Sequence, residues 1–342
     1  MWFEVTLPMS RNWKTGYLYM KRVIFMSILL PMLFSAFASS AYSQNYTITQ
    51  LTDNDTIDVN PRINNLGQVV WSGFDGHDHE IFLYDGVQIV QITNNDDEDL
   101  RSVINDNGQV IWEHSPYGLY RYDGKSAKQF SNNYKDLEPD INNREQVVWE
   151  ADIGDKEILF FDGAKIIQLS DNIYDDFSPH INEQGQVVWF GHDGNDNEIF
   201  LYDGAQVIQL TNNEYLDFIP DINDKGQVVW IASDNQDEVV LYDGIGASQI
   251  ISNDTYRKYW LSINNSGQVV WEAFDDQDYE IFLYDGLKII QLTDNERNDR
   301  KPHINDSGQV VWEADTGNTE IFLATPNLNG FSHESLFNKA TN

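Results

Sequence analysis

The chain has 342 residues and no cysteine, and its 55 acidic residues outnumber 21 basic ones, for a formal net charge of −34. The lack of cysteine excludes disulfides and Cys-ligated zinc or iron–sulfur sites. The strong negative charge argues against nucleic acid and anionic membrane surfaces as partners, because both carry the same sign.

Residues 1–43 have the composition of a leader. Met20 is followed by Lys and Arg, then by an apolar run from Val23 to Phe37, then by small residues up to Ser43. This order is typical of a secretory signal peptide that starts at Met20. A transmembrane anchor is the competing interpretation, but the apolar run contains Pro31 and is near or below the ~20 residues of a span. We predict a protein exported to the periplasm or beyond, without a stable membrane anchor.

One unit is then repeated seven times. Its landmark is Gln-Val-Val-Trp, or once Gln-Val-Ile-Trp, and successive landmarks lie 37 to 41 residues apart. The landmarks end at Trp71, Trp112, Trp149, Trp189, Trp230, Trp271 and Trp312. A period of this length marks a repeat architecture.

Each unit predicts four short strands. In the fourth copy they are Pro179 to Asn182, Gln186 to Trp189, Glu198 to Tyr202 and Gln206 to Thr211. Asn-x-x-Gly and Asp-Gly turns separate strands, and Asp-Gly is a strong hairpin signal. The third strand is apolar or aromatic on both faces, so the sheets must be covered on both sides, as stacked propeller blades are.

The seventh unit has three strands, up to Ala324, and its fourth strand is found at the other end of the chain. Tyr46 to Thr52 matches the fourth strand of the other units. We therefore predict an all-β, seven-bladed β-propeller over residues 44–326, built of four-stranded antiparallel blades, the last completed by the N-terminal strand. A loose extra strand is the alternative. Residues 327–342 are expected to form a polar tail.

The seven landmark tryptophans are expected between neighbouring blades. An aromatic side chain buries roughly 150–250 Å² in such a place. The landmarks should therefore hold the fold together and contribute nothing chemical to a binding surface.

The shared motifs resemble a known repeat family. The order is Asp-x-Glu-Ile-Phe-Leu-Tyr-Asp-Gly, then Gln-Leu-Thr, then Pro-x-Ile-Asn-x-x-Gly-Gln-Val-Val-Trp. It resembles the TolB-type β-propeller repeat over about residues 46–324, with Asn-Asn/Asp-x-Gly where that family has Ser-Pro-Asp-Gly. Ile-Asn-x-x-Gly-Gln-Val-Val is also similar to the HAF repeat of exported bacterial proteins. The resemblance implies the fold, but such propellers serve many roles. TolB itself carries an N-terminal α/β domain, for which this chain has no room.

Function in a repeat protein is expected where the copies differ. The x of Pro-x-Ile-Asn should face the central channel, because it is out of phase with the shared Ile. The candidate ligand-binding ring is Arg62, Asp140, His180, Asp221 and His303, with Val103 and Ser262 in the two other blades. A metal or a small polar ligand fits such a ring. A solvated polar funnel is the alternative.

The turn between the second and third strands is acidic. The candidate metal ligands are Asp75, Asp78 and Glu80; Asp193, Asp196 and Glu198; and Asp275, Asp278 and Glu280. Oxygen ligands at near-alternate positions suit calcium, but the EF-hand spacing is absent. Asp, Asn and Gly are also ordinary turn residues. No cofactor is required by the sequence, and calcium is the one it leaves open.

The loops that enter blades 3 to 6 carry aromatic residues, which we expect on one face around half of the channel mouth. The candidate ligand-binding residues there are Tyr215, Tyr256, Tyr259 and Trp260. Exposed aromatics beside Asp and Asn suit a glycan or peptide. Phe177 and Phe218 are expected instead to pack down as loop anchors.

No catalytic motif is present: there is no Gly-x-Ser-x-Gly, no His-Glu-x-x-His, no phosphate loop and no Cys nucleophile. The prediction is a monomeric, non-enzymatic binding or scaffold module for a protein, peptide or glycan. The first alternative is a metal-dependent hydrolase or lyase that uses His180, His303, Asp140 and Asp221 at the channel mouth. The second is a purely structural surface protein.

Overall fold

The computed structural model describes residues 46–133, 135–233, 237–251 and 257–327. The predicted signal peptide, Tyr256 and the polar tail beyond residue 327 lie outside the described residues.

The described residues form a seven-bladed β-propeller of four-stranded antiparallel sheets. Within them, no helix is long and apolar enough to cross a membrane. Blade 1 consists of β2 (Asp58–Ile63), β3 (Val69–Phe74), β4 (His79–Tyr84) and β5 (Ile89–Gln91), and blade 2 of β6 (Glu98–Ile104), β7 (Val110–Ser115), β8 (Gly118–Tyr122) and β9 (Ala127–Gln129). Blade 3 consists of β10 (Asp136–Ile141), β11 (Val147–Asp152), β12 (Lys156–Phe161) and β13 (Ile166–Gln168), and blade 4 of β14 (Asp176–Ile181), β15 (Val187–His192), β16 (Asn197–Tyr202) and β17 (Val207–Gln209). Blades 5 to 7 consist of β18 (Leu216–Ile222), β19 (Val228–Ser233), β20 (Asp237–Tyr242) and β21 (Ala247–Ile251); β22 (Lys258–Ile263), β23 (Val269–Phe274), β24 (Tyr279–Tyr284) and β25 (Ile289–Gln291); and β26 (Asp299–Ile304), β27 (Val310–Asp315), β28 (Thr319–Pro326) and β1 (Tyr46–Gln50).

In blade 4 the bounds of all four strands differ from the predicted ones. The first strand of blade 4 begins at Asp176, three residues before Pro179, because pairing with β15 continues across a bulge in front of the proline. The fourth strand ends at Gln209. Thr211 leaves the ladder, and its hydroxyl oxygen accepts the backbone N–H of Ile199 at 2.8 Å.

The N-terminal strand completes blade 7, as predicted. Strand β1 pairs antiparallel with β28, with Tyr46 opposite Pro326 and Gln50 opposite Phe322. The backbone N–H of Leu51 extends the ladder by donating to the carbonyl of Ile321 at 2.7 Å. Pairing the two ends of the chain in one sheet closes the ring and covers the edge of β28.

The landmark tryptophans lie between blades, as predicted. Trp189 is 1% exposed and packs with Val148 and Phe160 of the preceding blade. At the closure, Trp71 packs against Val311 and Leu323 of blade 7. The core is thus a set of interfaces between blades, rather than one central cluster.

A ring of asparagines closes the propeller a second time. The Asn of each Pro-x-Ile-Asn is buried, and its side-chain N–H donates to the carbonyl of the same Asn in the next blade at 2.9–3.0 Å. The ring consists of Asn64, Asn105, Asn142, Asn182, Asn223, Asn264 and Asn305, and the last bond joins blade 7 to blade 1. The shared Asn therefore holds neighbouring blades together, a role beyond the turn it was assigned from sequence.

Candidate functional site

The variable side chains of the first strands converge on the central channel. All seven line one cavity of about 180 Å³: Arg62, Val103, Asp140, His180, Asp221, Ser262 and His303. The structure thus brings the predicted ring together. Ligand binding by this ring stays a prediction.

His180 lies between two carboxylates from neighbouring blades. Its Nδ1 is 3.4 Å from an oxygen of Asp140 and 3.9 Å from an oxygen of Asp221. Burial alone would lower the pKa of His180, but the hydrogen bond to Asp140 and the charges of Asp221 and Asp140 raise it above its ordinary value. This part of the ring is therefore an ion-paired cluster within the channel wall.

His303 has the opposite environment. Burial, followed by the positive charges of Arg62 and His180, holds the pKa of His303 well below its ordinary value. Its Nδ1 is buried, with no hydrogen-bond partner among the described residues. The imidazole is therefore neutral near pH 7, and the guanidinium of Arg62 opposes a cation at this point of the channel.

One end of the channel is rimmed by acids and amides, which we call the acidic mouth. The residue after each ring asparagine donates its backbone N–H to a side-chain oxygen of the residue at the equivalent position in the next blade, at 2.7–2.8 Å. The members are Asn65, Asp106, Asn143, Glu183, Asp224, Asn265 and Asp306. Their oxygens are held by the fold, so this rim is rigid and negative.

The other end of the channel, which we call the bulge mouth, is surrounded by residues with left-handed backbone. In every blade the first strand bulges at the residue two positions before x, and that residue has a φ of 46–57°. These residues are Asn60, Arg101, Glu138, Ser178, Ile219, Trp260 and Lys301. A non-glycine residue in this region costs on the order of 1–3 kcal/mol, and such strain is concentrated at functional sites.

Buried glutamates hold four of these bulges in place. Each follows a landmark Trp and accepts the backbone N–H of the bulge residue in the next blade at 2.7–2.8 Å. They are Glu113, Glu150, Glu272 and Glu313. In blades 4 and 5, Phe190 and Ile231 follow the landmark Trp in place of this glutamate. The bulge residues of the next blades are then Ile219 and Trp260.

The bulge mouth therefore has an apolar part and a charged part. Phe190, Ile219 and Trp260 line a cavity of about 250 Å³. On the charged part, Arg101 lies 3.2 Å from an oxygen of Glu138. Lys301 connects the two parts: its Nζ donates to the amide oxygen of Asn60 at 2.7 Å and lies 5.6 Å from the centroid of the Trp260 ring.

Sequence reasoning identified Trp260 but missed the other bulge residues. The residue before the proline changes from blade to blade, and this variation could have marked the position as a candidate site. The positive φ could not be predicted, because none of these residues is a glycine.

The structure does not gather the described aromatic-face candidates at one point. Trp260 lines the bulge-mouth cavity, whereas Tyr215 is 46% exposed in the loop entering blade 5. The ring of Tyr259 lies 6.3 Å from that of Tyr279. Phe177 stacks on Phe190 at 5.3 Å, as expected of a loop anchor.

The acidic turns lie on the same face as the bulge mouth, because alternate strands of an antiparallel blade run in opposite directions. In the described part of the chain, three carboxylates have ligand atoms within 4.8 Å of one another at two places. The first is the predicted set Asp75, Asp78 and Glu80; the second is Asp275 and Glu280 with Asp294. The predicted blade 4 set, Asp193, Asp196 and Glu198, does not reach this separation. These metal assignments also stay predictions.

The comparisons agree with the propeller fold. No protein-family model matches the sequence, and no curated protein matches it. Among solved structures, the β-propeller domain of the trilobed protease from Pyrococcus furiosus is 12% identical with a TM-score of 0.60, covering 78% of this chain and 95% of that one. Virginiamycin B lyase from Staphylococcus aureus is 10% identical with a TM-score of 0.61, covering 82% of this chain and 100% of that one.

A puromycin-hydrolysing peptidase from Mycobacterium tuberculosis is 12% identical with a TM-score of 0.59, and the match spans 78% of this chain but 52% of the peptidase. These similarities show the β-propeller fold alone, because unrelated activities occur on it.

Proposed function

We propose that this protein is an exported, non-enzymatic propeller of the TolB type that binds its ligand at the bulge mouth. The observation that carries this proposal is that six of the seven strained, variable residues line one cavity at this end of the channel. The backbone conformation is shared by every blade, but the side chains it presents differ, and a ligand is expected where the copies differ. The leader-like sequence of residues 1–43 supports export.

A peptide segment fits the bulge mouth best among the predicted protein, peptide and glycan ligands. The cavity of about 250 Å³ is smaller than the ~300–1,000 Å³ of sites that enclose a drug-sized ligand. It therefore accepts one or two side chains of a longer ligand. Trp260 and Ile219 supply an apolar contact, while the ion-paired Arg101 and Glu138 supply polar contacts for a peptide backbone.

An array of short peptides, with a glycan array in parallel, tests this proposal. Trp260→Ala should weaken binding to the peptides that wild type retains by tenfold or more, because buried aromatic anchors dominate such interfaces. Tyr215→Ala is the matched control, since it removes an exposed aromatic outside the cavity. The proposal fails if wild type retains no peptide or glycan, or if Trp260→Ala binds as wild type does.

A metal-dependent hydrolase or lyase is the second candidate. It is favoured by the neutral, unpaired His303 beside the His180 cluster, where an imidazole could act as a base or a ligand. The charge of Arg62 is unfavourable for a metal there. Mass spectrometry of the bound peptides separates the two functions, because cleavage products would indicate an enzyme.

A further inference from the structure

The acidic turn of blade 1 contains a buried carboxylate without a partner. Asp78 is 6% exposed, and neither of its carboxylate oxygens has a hydrogen-bond partner among the described residues. Asp75 and Glu80 approach it, so that ligand oxygens of all three lie within 4.8 Å of one another. A buried anion without a donor requires compensation, and two neighbouring anions increase the requirement.

Blade 6 repeats the arrangement with one change. Asp275 and Glu280 come from its acidic turn, while Asp294 comes from the loop that enters blade 7. Asp278, which was predicted as the third ligand, is 8% exposed and has one buried oxygen without a partner. Asp278 is not one of the three grouped ligands, and among the described residues none of those three has a buried oxygen without a partner.

Blades 3 and 5 place a lysine beside the equivalent acids. Strand β22 begins with Lys258, where β14 and β26 begin with Asp. Lys258 is 1% exposed, and its Nζ donates to the carbonyl of Asp237 at the start of the third strand of blade 5. In blade 3, Lys135 Nζ lies 2.5 Å from an oxygen of Asp152. The turn of blade 1, residues 72–80, contains neither Lys nor Arg, whereas in blade 6 the guanidinium of Arg300 lies 4.5 Å from the centroid of the Tyr279 ring.

The ligand chemistry identifies the kind of cation. All ligand atoms are carboxylate oxygens, which suit hard divalent ions and not soft ones. Oxygens on opposite sides of a Ca²⁺ are about 4.6–5.2 Å apart, since each lies at 2.3–2.6 Å from the ion. The three carboxylates of blade 1 lie close enough together to share one ion. Mg²⁺ has shorter bonds of about 2.0–2.1 Å and demands a stricter octahedron.

We propose that the protein binds Ca²⁺ at one rim site, formed by Asp75, Asp78 and Glu80. The ion supplies at blade 1 the positive charge that Lys258 supplies at blade 5. The site lies outside the central channel, on the face that carries the bulge mouth.

Calorimetric titration with CaCl₂ tests the proposal on full-length protein that has been stripped with EDTA and transferred to chelator-free buffer with physiological NaCl. One Ca²⁺ per chain should bind with saturation, at least tenfold tighter than Mg²⁺. Asp78→Asn should remove this site, whereas Asp275→Asn, in the equivalent turn of blade 6, should leave it. Asp75→Asn is a second blade 1 variant at an exposed position. Asp85→Asn, in the exposed Asp-Gly turn of the same blade, is the matched control.

Circular dichroism verifies that each variant is folded before titration. Binding of one ion to the control and of none to Asp78→Asn would establish the site. The proposal is overturned if wild type takes up no Ca²⁺ with saturation, if Mg²⁺ competes equally, or if Asp85→Asn weakens binding as much as the turn variants do. The last two results would indicate attraction to the overall negative charge.

Discussion

A single indole joins two strands in most blades of this propeller. Trp71 donates its ring N–H to an oxygen of Asp58 at 2.8 Å, and Trp112 does so to Asp99 at 2.7 Å. The Asp starts the first strand and the Trp lies in the second, so the bond fixes the register between them. The ring itself packs against the preceding blade. One residue thus combines a directional hydrogen bond with a large buried surface.

Trp189→Ala should lower the free energy of unfolding by about 3–5 kcal/mol, because it leaves a cavity between blades 3 and 4. Urea denaturation of both proteins measures the difference. Leu287→Ala is the control: Leu287 is 92% exposed, so its removal should change stability by about 0.5 kcal/mol or less. Superimposable unfolding curves for Trp189→Ala and wild type would contradict the interfacial role.

At the scale of the element, the bulged first strand combines a backbone shared by all blades with side chains that vary. The bulge lets seven different side chains surround one end of the channel while the Ile-Asn segment that follows keeps the ring of asparagines. Glu272 illustrates the link between blades, because its Oε2 accepts the backbone N–H of Lys301 at 2.7 Å. The bulges therefore depend on buried carboxylates that belong to the neighbouring blade.

Glu272→Gln should make the protein more stable at alkaline pH. Burial raises the pKa of Glu272 from 4.5 to about 7. A raised carboxyl pKa stabilises the fold fully below the unfolded value near 4.5, and this contribution is lost as the pH rises through about 7. The variant should therefore gain about 2–3 kcal/mol over wild type between pH 5 and pH 9. Chemical denaturation at both pH values measures it.

The exposed Glu214→Gln is the matched control and should show the same difference from wild type at both pH values. A Glu272→Gln difference that does not change with pH would show that this carboxyl ionises normally in the folded protein.

The sequence predicts the elements well and the site in part, for physical reasons. A single short strand is an ambiguous signal, but the same landmark in seven copies identifies the repeated blade. The segment that starts at Tyr46 matches the fourth strand of the other blades and so predicts how the ring closes. The channel ring was found because the alternation of a strand fixes which side chains face inwards. The left-handed bulges were missed because Ile219 and Trp260 are side chains that rarely adopt a positive φ. The positive φ becomes necessary only because the first strand of each blade pairs with the second strand on both sides of the bulge.

At the scale of the whole molecule, two different devices close the same circle. Strand β1 covers the outer edge of blade 7, while the bond from Asn305 to Asn64 joins blades 7 and 1 near the channel. The outer closure joins distant parts of the chain, because Tyr46 and Pro326 are partners in the ladder. Ring closure thus gives every blade two neighbours, and no blade presents an uncovered face.

A circular permutant tests the outer closure directly. Because Tyr46 lies opposite Pro326, a short Asn-Gly turn placed after Asn327 can lead into Tyr46, so that the new chain begins at Asp53 and ends at Thr52. We expect it to fold and to melt within a few degrees of wild type, since every strand keeps its partner.

A chain that also begins at Asp53 but lacks residues 1–52 should melt several degrees lower and self-associate, because the edge of β28 is uncovered. Thermal melts and size-exclusion chromatography distinguish the three proteins. Equal stability of the truncated chain and wild type would mean that the asparagine ring alone closes the propeller.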